Sequence, residues 1–507
     1  MRLDTGAHEW WNRWHVVAAC VLLALVPLAL TPIPPLVDLP GHMGRYAVQL
    51  DPAPFHAWYA FRWQLIGNLG VDLLIEPMAR LFGLEPGLKL IVMMIPALAV
   101  AGLLWIAREV HGRIPPTAFF ALPLAFGHPF IFGFINFSLA MALALLAFAL
   151  WLRMARTGKA NWRWAVFAPV ACIVWVAHTF GWGLLGLLCF SAEAVRQHDH
   201  GKGWLAAGFH SALACLPMAL PLIPMVAWRA ASTDMTGDMF NWDLKSFWLL
   251  ATLRDRWQWF DIASLGAIIG VIFLALRAPA LTFSRNLAVS ALVLLAAYVL
   301  LPRIIFGSAY ADMRLTPYVF AIALIAIRPK PGASANWFGI AAMAGLAFFG
   351  TRIAAHTASF EMASARYGQA LGALDALPTG SRVAAFTQRT CGIQWSTNRM
   401  EHLSALAMVR RHSFSNDQWE VSGANLMDTI KTDARGFAYD PSQLVVPEPC
   451  AGGAPWRTLN QSLRALPRGA FDYVWLIDPP RYNVRVTDGM TPVWANDTDR
   501  LYRIDRQ

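Results

Sequence analysis

Long apolar runs recur along most of this chain, and they constrain its fold more than any other feature. A helix needs about 20 mainly apolar residues to cross the hydrocarbon core of a bilayer. Only 14% of the 507 residues are charged, too few to cover a soluble protein of this size with polar surface. The sequence therefore predicts a polytopic α-helical membrane protein. The apolar runs lie at residues 15–30, 90–107, 118–134, 137–151, 164–195, 205–228, 262–276, 287–301, 315–327 and 337–349.

The run at 164–195 decides the number of passes. As one helix it would extend about 48 Å, whereas the hydrocarbon core is about 30 Å thick. It is therefore one steep helix or two shorter helices broken near His178. Two passes place the Arg and Lys clusters between the runs on one side of the membrane, which is the bias of cytoplasmic loops. We therefore predict about eleven passes, with a cytoplasmic N-terminus and an extracytoplasmic C-terminus.

The chain divides into two predicted domains. Residues 1–351 form the membrane domain, with a long first outer loop at 32–87, and residues 352–507 form a small α/β domain. In the loop, an aromatic stretch at 55–63 and an apolar stripe at 71–82 predict two short interfacial helices. In the C-terminal domain we expect a helix followed by strands. These elements are predicted at 363–377 for the helix and at 382–386, 471–477, 492–496 and 499–504 for the strands.

Two cysteines, Cys391 and Cys450, lie in the polar C-terminal region, whereas the other four fall inside apolar runs. In an oxidising compartment these two residues would form a disulfide, and the alternative is two unpaired thiols. The net charge of +10 does not indicate a nucleic-acid partner, because the basic residues lie in short clusters between apolar runs. The expected partner is the lipid bilayer.

An acid, an imidazole and a guanidinium lie within eight residues directly after the first apolar run. These are Asp38, His42 and Arg45 in the segment Pro35-Leu-Val-Asp-Leu-Pro-Gly-His-Met-Gly-Arg45. Such a set could pair a general base with a phosphate clamp at the outer membrane surface. The alternative is that Asp38 only caps the helix that begins near Pro40.

A later outer segment carries Arg303, Asp312 and Arg314. Arginine offers bidentate hydrogen bonds to a phosphate, so these residues are candidate contacts for a lipid phosphate. The alternatives are a structural Asp312–Arg314 pair or arginines that reach the lipid headgroups.

Three further polar residues are candidate substrate contacts. His178 lies at membrane depth, where ionisable groups are costly and indicate function, although a neutral hydrogen-bonded histidine is the alternative. Asn68 and Asp72 have the i, i+4 spacing of one helical face and could contact donor or acceptor. The alternative for this pair is a solvated helix face.

The order of these features resembles that of the C-type glycosyltransferases: a first span, a long loop with a short acidic motif, interfacial helices, many further spans and an outer C-terminal domain. That superfamily transfers a sugar from a polyprenyl-phosphate carrier to an acceptor at the outer leaflet. The resemblance implies that Asp38 is the catalytic base or helps to bind metal, and that basic residues of a late loop bind the lipid phosphate. It implies a bacterial inner-membrane protein with a periplasmic C-terminal domain. Because Leu39, rather than a second acid, follows Asp38, a divalent cation is left open as a cofactor.

The predicted function is therefore transfer of a sugar from a polyprenyl-phosphate donor to an acceptor that the sequence does not identify. A transporter or flippase is the main alternative, favoured by the helix break at His178 and disfavoured by the absence of an obvious internal repeat. A membrane anchor would need one span only. A phosphoethanolamine-type transferase would need a soluble domain with a metal-binding cluster, and the C-terminal sequence contains none.

Overall fold

A computed structural model describes residues 9–229, 236–305, 308–330, 336–420, 425–447, 450 and 456–506. The chain forms two compact units that are both discontinuous in sequence. The first unit comprises the residues up to Leu30, Leu65–Leu73 and Leu90–Ala358, and the second comprises Thr31–Gln64, Leu74–Lys89 and Ser359–Gln507. Most of the first outer loop thus belongs to the same unit as the C-terminal segment.

The helices follow the apolar runs of the sequence. The first half of the chain contains α1 (Trp14–Leu23), α2 (Val26–Ala29), α3 (Leu39–Leu50), α4 (Gly70–Phe82), α5 (Leu84–His111), α6 (His128–Phe132), α7 (Ile135–Arg156), α8 (Arg163–Ala177) and α9 (Thr179–Asp199). The second half contains α10 (Trp204–Cys215), α11 (Leu222–Arg229), α12 (Trp242–Leu250), α13 (Gln258–Arg277), α14 (Arg285–Leu300), α15 (Thr316–Ala326), α16 (Asn336–Leu371), α17 (Leu406–Arg411) and α18 (Leu459–Ala465).

Within the described residues, five helices are long and apolar enough to cross a membrane, and five shorter apolar segments accompany them. Their outward faces carry exposed apolar side chains such as Leu205 and Leu276. Apolar faces of this kind need lipid rather than water as solvent. These helices confirm the polytopic membrane fold, while the number of eleven passes stays a prediction. The five long segments are Leu84–His111, Ile135–Arg156, Ala160–Ala177, Gln258–Arg277 and Trp337–Ala376.

The apolar run at 164–195 is two helices, as one of the two interpretations predicts. Helix α8 ends at Ala177 and α9 begins at Thr179, with His178 between them in an extended conformation. The two helices pack against each other. The break is therefore a turn between two helices rather than an interruption within one span.

The second unit is built around a six-stranded mixed sheet. The strands of the chain are β1 (Tyr59–Phe61), β2 (Leu281–Phe283), β3 (Ile327–Pro329), β4 (Arg382–Gln388), β5 (Phe414–Ser415), β6 (Met427–Thr429), β7 (Leu444–Val445), β8 (Tyr473–Ile477), β9 (Met490–Ala495) and β10 (Arg500–Ile504). The sheet order is β5-β4-β8-β10-β9, and β7 also pairs with β4. Strand β4 is parallel to its three partners, whereas β10 is antiparallel to β8 and β9. The four predicted strands are confirmed.

The aromatic stretch at 55–63 is a strand rather than the predicted interfacial helix. Strand β1 pairs antiparallel with β6, and Phe55 and Tyr59 are buried in the core of the second unit. The Tyr59 ring stacks on Phe414 with centroids 5.5 Å apart, and its hydroxyl donates to the Ser415 carbonyl at 2.6 Å. These aromatic side chains fill a protein core that local sequence does not reveal. The second predicted stretch, at 71–82, is helical, as part of α4.

Two further features concern the C-terminal segment. Helix α16 runs without interruption from Asn336 to Leu371, so the predicted domain boundary at 351/352 lies inside a helix. The predicted helix at 363–377 is the end of α16 followed by a 3-10 turn at Gly372–Ala376. Cys391 and Cys450 form a disulfide with their Cα atoms 5.3 Å apart, which confirms the predicted pairing.

Candidate functional site

Asp38 directly precedes α3 in the second unit, where the sequence alternative makes it a helix cap. The residue occupies the N-cap position, but its side chain makes no capping hydrogen bond. Residue Asp38 is 8% exposed. Its carboxylate therefore does not satisfy the first turn of α3, and the capping alternative does not describe this side chain.

The His402 imidazole lies close to Asp38. Its Nε2 lies 3.9 Å from the Asp38 Oδ1, a distance for an ion pair rather than a hydrogen bond. The His402 Nδ1 lies 2.9 Å from the Asp417 carbonyl oxygen. Because a carbonyl can only accept, Nδ1 carries a proton and donates to it. The other ring nitrogen therefore faces Asp38, and both nitrogens carry a proton when His402 is charged.

Carboxylates surround His402 and favour its charged form. Burial alone would lower the pKa of the imidazole, but the nearby Asp440, Asp38 and Asp417 outweigh this effect and raise the pKa above its usual value. Burial also raises the pKa of the Asp417 carboxyl, although His402 and a 2.7 Å hydrogen bond from Ser404 oppose the increase. The second unit thus holds a histidine that is more basic than usual beside Asp38.

Trp419 packs against both histidines of this cluster. Its ring lies 4.3 Å from the His402 ring and 5.1 Å from the His42 ring, measured between centroids. A Cβ atom at Gly41 would lie 2.5 Å from the Trp419 ring, so only glycine permits this approach. In the Pro-Gly-His sequence of the motif, the glycine thus allows the Trp419 ring to pack against the His42 and His402 imidazoles.

His42 and Arg45 lie further along α3. The His42 ring stacks on Tyr46 at 6.2 Å, and the Arg45 guanidinium lies 4.8 Å from the centre of the same ring. Arg45 is 5% exposed. Of the predicted set in this loop, Asp38 and His42 are connected through His402 and Trp419, whereas Arg45 lies over the Tyr46 ring.

Arg314 of the first unit is surrounded by aromatic rings. Its guanidinium lies 4.4 Å from the centre of the Phe134 ring, 5.6 Å from Phe137 and 5.4 Å from Phe180. Its Nη2 donates to the Ser308 hydroxyl at 3.2 Å. Aromatic faces attract a cation without neutralising it. The charge of Arg314 is thus held in a fixed position at one end of the first unit.

His178 lies next to the same aromatic rings. Its ring contacts Phe137 and Phe180, each with centroids 5.7 Å apart. Its Nδ1 accepts a hydrogen bond of 3.1 Å from the Phe180 amide and so caps α9. Because Nδ1 accepts, the ring proton is on Nε2. The structure thus joins His178 and Arg314 in one cluster, and it also gives His178 a structural role.

Asp312 is paired with a lysine that the sequence analysis did not identify. The Lys245 Nζ lies 3.1 Å from the Asp312 Oδ2, with both side chains at most 2% exposed. Lys245 also donates to the carbonyls of Tyr298 and Leu301, at 3.1 and 2.7 Å. The Asp312 Oδ1 accepts from the Met313 amide at 2.9 Å. This geometry favours a structural role for Asp312 over substrate contact.

Arg303 pairs with Asp238 through both backbone and side chain. The two side chains are 26% and 29% exposed. This pair ties the segment before α12 to the segment after α14. Part of the Arg303 guanidinium remains accessible, so a phosphate contact at Arg303 stays a prediction.

Asn68 and Asp72 do not share a helical face, because Asn68 lies two residues before α4 begins at Gly70. Asn136 holds this segment: its Nδ2 donates to the Asp72 carboxylate at 2.8 Å and to the Asn68 carbonyl at 2.9 Å, and its Oδ1 accepts from the Val71 amide at 2.6 Å. Asp72 is fully buried. The solvated face that the sequence offered as an alternative is therefore wrong, and the contacts favour a structural role.

Three residues central to these clusters were missed in the sequence: His402, Lys245 and Asn136. Each is far along the chain from its partner, and each occurs alone, without a motif. A lysine inside the apolar context of 245–250 was the one available signal, since a charge there needs a partner. In the part of the chain that the structure describes, no group of three or more His, Cys, Asp or Glu side chains is placed to hold a metal ion.

We expect the contribution of His402 to stability to fall as pH rises. Its pKa in the folded chain is above the value of about 6.5 in an unfolded chain. The stabilisation is therefore complete below about pH 6.5 and is lost as the pH rises through the higher folded value. Hydrogen exchange of the β4 amides, corrected for intrinsic rates, gives the free energy of opening of this strand. The difference in that free energy between wild type and His402→Gln measures the contribution of His402 at each pH.

The control for this experiment is His56→Gln, which changes an exposed histidine of the same unit. Its opening free energy is expected to parallel that of the wild type at every pH. If the difference in opening free energy between wild type and His402→Gln stays constant from pH 6 to pH 9, the assigned charge of His402 is contradicted.

Replacing Lys245 by Met is expected to destabilise the folded chain by about 3–5 kcal/mol, because the buried Asp312 carboxylate loses its cation. The double variant Lys245→Met/Asp312→Leu removes both charges and is expected to recover most of that loss. Thermal unfolding of the full chain in detergent measures both effects. Arg303→Gln is the matched control for a half-exposed pair and is expected to cost about 1 kcal/mol or less. Equal losses in the single and double Lys245 variants would contradict the pairing.

Comparison with known proteins gives a fold over nearly the whole chain. The structure is similar to the crystal structure of ArnT from Cupriavidus metallidurans bound to undecaprenyl phosphate, with a TM-score of 0.51 and 12% identity over 99% of this chain and 98% of that one. The apo structure of the same protein aligns with a TM-score of 0.49 and 12% identity over 97% of each chain. No family profile and no curated protein matches the sequence. The chain therefore has the fold of ArnT over nearly its whole length, and this confirms the predicted fold class of a polytopic helical membrane protein with a small C-terminal α/β domain.

Proposed function

We propose that this chain is a membrane glycosyltransferase that moves a sugar from a polyprenyl-phosphate donor to an acceptor at the outer face of the inner membrane. The observation that carries the proposal is the fold likeness, over 99% of the chain, to a protein solved with undecaprenyl phosphate bound. Undecaprenyl phosphate is a polyprenyl phosphate, the lipid part of the predicted donor.

Asp38 is the proposed catalytic base. It accepts the proton of the acceptor hydroxyl while the oxygen attacks the anomeric carbon of the donor. The bond from that carbon to the lipid phosphate breaks, and the polyprenyl phosphate leaves with the bonding electrons. A single displacement of this kind inverts the configuration at the anomeric carbon. Two observations support this assignment: the Asp38 side chain makes no capping hydrogen bond, and the His402 Nε2 lies 3.9 Å from its Oδ1.

Arg314 is the proposed cationic partner of the lipid phosphate. The transition state places growing negative charge on the leaving phosphate, and a fixed cation stabilises it without rearrangement. The aromatic rings around the guanidinium support this role because they hold the charge in position. Arg303 is proposed as a second phosphate contact, and His42, Arg45 and His178 as contacts to donor or acceptor. Substrate contacts from Asn68, Asp72 and Asp312 are less supported, since the Asp72 and Asp312 carboxylates and the Asn68 carbonyl are engaged within the fold.

The proposed location is a bacterial inner membrane, with the N-terminus in the cytoplasm and the C-terminal domain in the periplasm. The Cys391–Cys450 disulfide supports this orientation, since disulfides persist in the periplasm and are rare in the cytosol. A transporter is less supported than a transferase. The feature in its favour, the break at His178, is a turn between two packed helices.

Asp38→Asn is expected to lower the rate of sugar transfer by about 10²–10⁴-fold, the usual contribution of a general base. The assay follows label from radioactive polyprenyl-phosphate sugars into membranes that contain either version of the full chain at equal amounts. The matched control is Asp51→Asn, which changes an exposed acid at the other end of α3. The control is expected to keep wild-type activity.

Three results would count against parts of this proposal. Transfer that survives in Asp38→Asn would retain the enzyme and assign the base to another residue. Equal loss in Asp38→Asn and Asp51→Asn would indicate damage to α3 rather than chemistry. Absence of transfer from every donor, together with lipid or solute movement in liposomes, would replace the transferase by a transporter.

A further inference from the structure

A charged cavity lies in the first unit. It is at those ends of the helices that the predicted cytoplasmic loops connect. Its volume is about 350 Å³. The ends of five helices (α5, α7, α8, α9 and α14) and strand β3 contribute its charged side chains. These side chains are Glu109, Arg156, Arg163, Glu193, Arg196, Asp199, Arg285 and Arg328.

This cavity is separate from the cluster around Arg314 and His178. Helix α7 connects the two regions: Phe137 lies near its beginning, and Arg156 is its last residue. The helix has 22 residues, which corresponds to a length of about 33 Å. His178 likewise joins the ends of α8 and α9 that are opposite to the cavity. The cavity therefore has no part in the proposed transfer reaction.

The carboxylates of the cavity are already used by arginines. Glu193 pairs with Arg163 at 2.9 Å and also with Arg196. Glu109 pairs with Arg156 at 2.8 Å.

The remaining acid of the cavity is Asp199. It forms an ion pair with Arg285, whose side chain is exposed. The lining thus contains five arginines against three carboxylates, a surplus of two positive charges. Among the described residues, the Arg328 side chain has no ion-pair or hydrogen-bond partner.

Tryptophans show at which depth of the bilayer the cavity lies. Trp162 and Trp164 flank Arg163 and are exposed, as is Trp204. The Trp204 ring stacks on His198, which precedes the cavity residue Asp199, with centroids 4.0 Å apart. Exposed Trp side chains settle at the level of the lipid headgroups. The surplus positive charge therefore lies where the phosphates of lipid headgroups are concentrated.

We propose that this cavity binds the phosphate of an anionic phospholipid headgroup. A phosphate diester with a net negative charge offsets the surplus, and its oxygens accept from the guanidinium groups of Arg285 and Arg328. A zwitterionic headgroup adds a cation to a site that is already positive and binds less well. The site is independent of the proposed transfer reaction and would persist if that reaction were disproved.

The test is a lipid titration of the full-length protein in mild detergent, followed by native mass spectrometry. The probes are phosphatidylglycerol and phosphatidylcholine with identical acyl chains, each added alone. Wild type is expected to bind phosphatidylglycerol at least tenfold more tightly than phosphatidylcholine. Arg328→Gln and Arg285→Gln are each expected to weaken phosphatidylglycerol binding about fivefold, the usual contribution of one basic residue at an anionic membrane surface. Both side chains are exposed, so the variants are expected to fold.

The matched control is Arg277→Gln, the same substitution at an exposed arginine that ends α13 and does not line the cavity. It is expected to keep the wild-type affinity. Equal affinity of wild type for the two lipids, or the same loss in Arg277→Gln as in Arg328→Gln, would overturn the proposal. Inorganic phosphate or glycerol phosphate that displaces the lipid at equal concentration would assign the site to a soluble anion and overturn the lipid as its ligand.

Discussion

The candidate site depends on the packing of Phe55 and Tyr59 in the core of the second unit. The chain leaves the first apolar run, forms α3, and is then fixed by the Tyr59 ring on Phe414 and by its hydroxyl on Ser415. The segment that follows Ser415 supplies the Asp417 carbonyl, which orients the His402 ring. The contact between Tyr59 and Phe414 thus joins the loop that carries Asp38 to the segment that orients His402.

The first unit depends on a different constraint, because charges inside it are surrounded by apolar side chains. Three of its buried cations each have a carboxylate partner at short distance: Lys245 with Asp312, Arg163 with Glu193, and Arg352 with Asp261 at 2.6 Å. Such pairs are costly to bury, and removal of one member costs more still. They fix the helices in one arrangement, and the charge of Arg314 is held within that arrangement by aromatic faces.

The sequence predicts the parts of this fold that follow from local patterns. Long apolar runs locate the helices, short ones locate buried strands of the second unit, and the excess length of the run at 164–195 predicts the turn at His178. The prediction of an interfacial helix at 55–63 is wrong because aromatic residues fit a membrane interface and a protein core equally well. The pairing of β1 with the distant strand β6 places this stretch in the core. The same limit applies to the site. Asp38 lies in a recognisable motif, whereas His402 is more than 360 positions away, and nothing local connects the two.

The proposed single displacement on a polyprenyl-phosphate sugar can be tested by the products of one reaction. The full-length protein is incubated with such a donor, and free polyprenyl phosphate is counted against transferred sugar while NMR determines the anomeric configuration of the product. One free polyprenyl phosphate is expected for each sugar transferred, together with a product of inverted configuration. Retention of configuration, or a sugar product formed without release of the lipid phosphate, would contradict it.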